Sequence, residues 1–173
     1  MSRQALARIT GLLYALNIVL GIVGLTWQRQ GHPGADAMII AGAAEYAIVV
    51  LLLGRLFEPA GRALSWTVAA IGVAACAVSA TVPLHLIKTS ANLILVFGPY
   101  CIGLGIVIVR SGMMPRIIGY LLVVGGLSWL SFALPDLSHR IAPWNTVVGG
   151  LPELILTLWL IAFGVRARAA ERS

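Results

Sequence analysis

A chain of 173 residues that is 60% apolar and only 10% charged lies far outside the composition of soluble globular domains, so it belongs in lipid. Its net charge of +6 comes from basic residues spread over the ends of apolar runs and gathered in no patch, which argues against a nucleic-acid partner. The two cysteines, Cys76 and Cys101, fall inside apolar runs and read as small buried hydrophobes.

Six apolar runs can be marked, over residues 9–27, 37–57, 63–87, 91–109, 117–134 and 144–165. Each reaches the roughly 17 to 25 residues that a helix needs to cross the hydrocarbon core. The links between them are short, so the chain is expected to be one all-α transmembrane domain of six helices. Orientation follows from the basic residues. Arg3, Arg8, Arg55, Arg62, Arg110, Arg116, Arg166, Arg168 and Arg172 fall on one side, and Arg29, Lys88 and Arg140 on the other. The excess marks the cytoplasmic side, which puts both termini there and the protein in the cell inner (cytoplasmic) membrane.

The first run follows Arg3 and Arg8 as a signal peptide would, but it is too long and ends in Thr26-Trp27-Gln28-Arg29 with no small-residue cleavage site, so it reads as a retained helix. Thr10, Tyr14, Asn17, Gly21 and Gly24 share one of its faces, which is expected to look inward. After a turn at Gly31-His32-Pro33-Gly34, the second run carries Glu45 halfway along, followed by Tyr46. The third repeats Ser65, Ala69, Gly72, Cys76 and Ser79 on a mildly polar, small-residue stripe. The link Lys88-Thr89-Ser90 is short enough to make the third and fourth helices an antiparallel pair, and Asn92, Gly98, Cys101 and Gly105 give the fourth a small-residue face.

The loop Arg110-Ser111-Gly112-Met113-Met114-Pro115-Arg116-Ile117-Ile118-Gly119 reads as a helix stop at Gly112 and a new start at Pro115. This loop is joined by Ile9-Thr10-Gly11-Leu12-Leu13-Tyr14-Ala15-Leu16-Asn17 near the start and Pro152-Glu153-Leu154-Ile155-Leu156-Thr157 near the end. Together they resemble a bacterial six-span membrane family known as domain of unknown function forty-three eighty-six. The resemblance implies a six-helix fold and assigns no reaction.

The fifth run is rich in glycine (Gly119, Gly125, Gly126), which suits close packing. Trp66, Trp129, Trp144 and Tyr120 near run ends fit an interfacial aromatic belt. In the sixth run Glu153 follows Pro152 at mid-depth and shares a polar face with Asn145 or Thr146, Gly149, Thr157 and Gly164. Pro152 removes one helical hydrogen bond, and Gly149-Gly150 adds softness, so a broken helix is expected there, as in transporters that build midplane sites.

An ionisable group at membrane depth is costly, so Glu153 and Glu45 mark a functional site by default. They are the expected proton-exchanging or acid/base pair, with Asn17, Tyr14, Tyr46 and Thr157 as the groups that line a ligand. The alternative at each glutamate is a structural carboxylate bonded across the bundle. His32, His85 and His139 lie on the outer side at no metal-ligand spacing, and no phosphate loop, nucleophile elbow or haem motif occurs, so neither metal nor cofactor is expected. Three readings follow. The first is proton-coupled movement of a small lipophilic or cationic substrate, for which the small size of the chain suggests a homo-oligomer. The second is a membrane-embedded cyclase, isomerase or hydrolase acting on an isoprenoid or lipid. The third is an accessory subunit of a membrane complex.

Overall fold

The structure, a computed structural model, describes residues 1–81, 83 and 94–166. Its helices are α1 (Arg3–Arg29), α2 (Ala35–Leu56), α3 (Arg62–Thr81), α4 (Ile94–Ser111), α5 (Arg116–Leu130), the short α6 (Pro135–Ile141) and α7 (Trp144–Ala162), with single 3-10 turns at Glu58–Ala60 and Ser131–Ala133. Among the described residues there is no strand. Five segments are long and apolar enough to cross a membrane: α1, α2, α3, α5 with its following turn, and α7. A shorter apolar helix spans Phe97–Ser111. The protein is therefore an all-helical bundle of multi-pass membrane character. His85, Lys88, Asn92, Arg168 and Arg172, and with them the expected link between the third and fourth runs, lie outside the described residues.

Local chemistry sets the helix ends. Ser2 Oγ accepts from Ala5 N at 3.2 Å to cap α1, and Gly112 takes a φ of 60° just past the end of α4. Behind it, Ser111 Oγ accepts from Met113 N at 3.2 Å, Pro115 stands at the N-cap, and α5 begins at Arg116, so the expected stop and restart are both present. The segment that follows the turn at Ser131–Ala133 is helical in part. It contains α6, which opens on Pro135 with Asp136 in its first turn and closes on His139 and Arg140, a charge order that suits the helix dipole.

Each long helix packs on its neighbours in the chain, and α7 packs on both α5 and α1. The six long elements thereby form a closed ring. The tightest seam is between α4 and α5. A Cβ built on Gly98 would meet the Gly126 carbonyl oxygen at 2.8 Å, and one on Gly126 would meet the Gly98 oxygen at 2.6 Å. Two turns along, Gly105 and Gly119 face each other in the same way, at 2.5 and 2.6 Å. Backbones thus touch directly, which only glycine allows.

One end of the bundle is clasped. Gln4 Nε2 donates to the Phe163 carbonyl at 2.8 Å, while Gln4 Oε1 accepts from Val165 N at 3.0 Å. Arg166 N donates to the Met113 carbonyl at 2.8 Å. The start of α1, the α4–α5 loop and the end of α7 therefore share one end, where Arg3, Arg110, Arg116 and Arg166 gather.

The expected break in the sixth run is absent, because α7 runs as one helix from Trp144 through Pro152 to Ala162. The reason is across the seam. Gly125 of α5 has no side chain, so the Pro152 ring and the carbonyls of Val148 and Gly149 lie 3.1–3.3 Å from where its Cβ would be, and the helix is held by its neighbour despite the lost bond.

Candidate functional site

Glu153 projects from α7 against α1, α4 and α5. Its Oε1 accepts from Trp129 Nε1 at 3.1 Å and lies 3.8 Å from the Cys101 thiol, and its Oε2 accepts from the Tyr14 hydroxyl at 3.1 Å. Every one of these partners is a donor, so the site is built around an acceptor. Tyr14 OH is 2.9 Å from Tyr46 OH, which adds α2 to the cluster. While Tyr14 donates to Glu153, Tyr46 donates to Tyr14. Both hydroxyls can also run the other way.

Around this polar centre the rings pack edge to face or tilted. Tyr46 lies 5.2 Å from Tyr14, 5.3 Å from Phe97 and 6.2 Å from Tyr100, measured between centroids. Tyr14, Tyr100 and Cys101 are each 1% exposed. Such rings supply large buried area; the Tyr14 and Tyr46 hydroxyls partner each other, whereas the Tyr100 hydroxyl is buried with no hydrogen-bond partner among the described residues.

Glycine positions the site. Gly149 precedes Glu153 by one turn on the same face, and a Cβ there would stand 2.5–2.8 Å from the Trp129 indole. The bare backbone lets the indole lie flat on α7 and reach the carboxylate. On α3, Gly72 does the same for Tyr100, whose ring is 2.7 Å from where its Cβ would be.

The other expected site residues lie as follows. Thr157 Oγ1 donates to the Glu153 carbonyl at 2.8 Å, so its hydroxyl closes on its own helix. Asn17 Nδ2 donates to the Gly42 carbonyl on α2 at 2.8 Å. Both carboxylate oxygens of Glu45 are buried without a hydrogen-bond partner among the described residues, so no bond joins Glu45 to Glu153. Tyr14 and Tyr46 meet Glu153's cluster, and Asn17 meets the helix that carries Glu45. In the α1–α2 turn His32 stacks on Trp27 at 4.3 Å and its Nδ1 accepts from Gly34 N at 3.0 Å, which uses it there.

Trp129, Cys101, Tyr100 and Phe97 were not expected at the centre. Trp129 in particular is no belt residue: it is partly buried against the core and bonded to Glu153. The signal available was its spacing, since Trp129 follows Gly125 by one turn and so shares the packing face of α5. Trp144 and Tyr120, by contrast, are 69% and 53% exposed.

The model of the family described as Domain of unknown function (DUF4386) matches residues 89–164, a stretch that holds the Arg110–Gly119 loop, Trp129 and Glu153. This is the family that the sequence resembles. No curated protein and no solved structure matches the chain.

Proposed function

We infer that this chain, which carries the DUF4386 domain, is a six-span protein of the cytoplasmic membrane that binds and moves a small lipophilic or cationic substrate and exchanges a proton at Glu153. One observation carries this reading: a carboxylate inside the helix ring is joined to a pair of tyrosine hydroxyls, Tyr14 and Tyr46, that can each give and take a proton. A hydroxyl pair of this kind suits proton exchange. Acid/base catalysis by two glutamates gains less support, since Glu45 makes no bond to Glu153. The accessory-subunit reading draws on the same cluster, because Glu153 is satisfied within its own chain.

Tetraphenylphosphonium, a lipophilic cation, separates these readings when added to the purified protein in weakly buffered detergent. Wild type is expected to release protons on binding it, and Glu153→Gln to release none. Equal release by both proteins, or none from wild type, would remove the proton-exchange reading.

The six-span topology with cytoplasmic termini rests on the distribution of arginine and gains support from the Gln4 clasp, which joins the start of α1 to the end of α7. A cysteine introduced at His32 is expected to react with an impermeant thiol reagent on intact cells, and one at Ala60 only after permeabilisation. Cys76 and Cys101 are buried and serve as the silent background. Reaction at Ala60 from outside would reverse the orientation.

A further inference from the structure

We propose that Tyr100 is the third hydroxyl of the Glu153 cluster, a positioning residue whose oxygen accepts from Tyr46 when Glu153 holds a proton and is let go when Glu153 is ionised. This rests on the reading of Glu153 as the group that exchanges a proton. The starting observation is that the Tyr100 hydroxyl is buried without a hydrogen-bond partner among the described residues, on a side chain that is 1% exposed. A buried polar group left unpaired is costly, so one that persists in a packed core calls for a reason.

Packing holds the Tyr100 ring in place and leaves it one hydroxyl neighbour. The ring lies 2.7 Å from where a Cβ on Gly72 would stand, so the backbone of α3 backs it directly. Phe97 packs on it at 5.5 Å between centroids and offers no polar atom. Tyr46 stands edge to face against it, with centroids 6.2 Å apart and planes at 85°, and the Tyr46 hydroxyl is the one that faces its own. Of the rings packed on Tyr46, those of Tyr14 and Tyr100 carry a hydroxyl and that of Phe97 does not.

Following the protons shows when Tyr100 is needed. With Glu153 ionised, Tyr14 gives its proton to Oε2 and Tyr46 gives its own to the Tyr14 oxygen, so every donor is placed and Tyr100 is left out. A proton added to Glu153 belongs on Oε2, because Oε1 already accepts from Trp129 Nε1. The carboxyl then donates to the Tyr14 oxygen, and Tyr14 turns and donates to Tyr46. That reversal displaces the Tyr46 proton, and the Tyr100 oxygen is the acceptor beside it. No bond other than a hydrogen bond changes, and the number of protons on the three hydroxyls stays the same.

Glu153→Gln imitates the protonated state, since its NH2 group donates to Tyr14 as the carboxyl would. Thermal unfolding in one detergent, at a pH alkaline enough to ionise Glu153, therefore tests the chain through Tyr100→Phe. In the wild-type background this change removes an unpaired hydroxyl and is expected to keep or raise the Tm. In the Glu153→Gln background it removes the acceptor of Tyr46 and is expected to lower the Tm. Adding Tyr46→Phe, which takes out the middle hydroxyl, is expected to abolish that reversal. The same shift in both backgrounds, or a reversal that survives Tyr46→Phe, would overturn the proposal. Should Glu153→Gln fail to fold, infrared spectra at acid pH supply the second measurement. The carbonyl stretch of the protonated Glu153 carboxyl is expected to move on Tyr100→Phe, and an unmoved band would overturn the proposal. Proton release on binding tetraphenylphosphonium is read separately: release without the reversal removes the role of Tyr100 and keeps exchange at Glu153, whereas the reversal without release keeps the hydroxyl chain and removes exchange.

Discussion

Glu153→Ala is expected to lower stability by about 1–3 kcal/mol, because it leaves the part-buried Trp129 Nε1 without its acceptor, while the Tyr14 hydroxyl can still turn to Tyr46. The orphaned donor dominates this estimate, since a hydrogen bond between membrane helices averages only about 0.6 kcal/mol when simply removed. Glu153→Gln behaves differently. Its amide oxygen still accepts from Trp129, while its NH2 group meets Tyr14, whose hydroxyl turns and donates to Tyr46 instead. The hydroxyl pair thus absorbs the change, and Glu153→Gln is expected to unfold near wild type while losing proton exchange. Differential scanning of the three proteins in one detergent reads the ordering. If Gln is as damaging as Ala, the charge itself is structural and the accessory-subunit reading takes first place.

The same cluster shows what a sequence can and cannot carry. The stop at Gly112 and the restart behind Pro115 are local and are present in the structure, and five of the apolar segments are helices long enough to cross a membrane, with a shorter apolar helix beside them. Partners across helices are not local. Glu45 and Tyr46 are adjacent on α2, so their side chains leave the helix about 100° apart. Tyr46, 5% exposed, takes the direction of Glu153's cluster, while Glu45 has no partner among the described residues. Shared depth suggested a glutamate pair, but rotation about the helix axis decides which side chain reaches the centre. Trp129 misled for a related reason. Its place near a run end fits a belt, and only the absence of a side chain at Gly149, on another helix, explains why it turns inward. Pro152 predicted a break because the sequence shows the lost bond and hides Gly125, which brings α5 close enough to support the helix there.

Gly119→Val is expected to cost about 3 kcal/mol, at the upper end of ordinary overpacking. The new Cβ would sit 2.6 Å from both the Gly105 carbonyl oxygen and Val109 Cγ2. The first of these atoms is backbone and has no rotamer to yield, so α4 itself must retreat. Gly150 supplies the contrast. It also lies within a helix, yet nothing stands within 4 Å of its Cβ position, so Gly150→Ala is expected to stabilise by about 0.5–1 kcal/mol through the lost freedom of the unfolded chain. Unfolding by denaturing detergent titration separates the two. The reciprocal geometry adds a sharper test. Gly105 and Gly119 each block the other's Cβ with a carbonyl oxygen, so the first alanine that forces the seam apart also makes room for the second. Gly105→Ala with Gly119→Ala should therefore cost clearly less than the two single changes added, whereas distant sites add to within about 0.3–0.5 kcal/mol. Simple additivity would mean that each clash is relieved by its own local adjustment, and that α4 and α5 do not move as rigid bodies against one another.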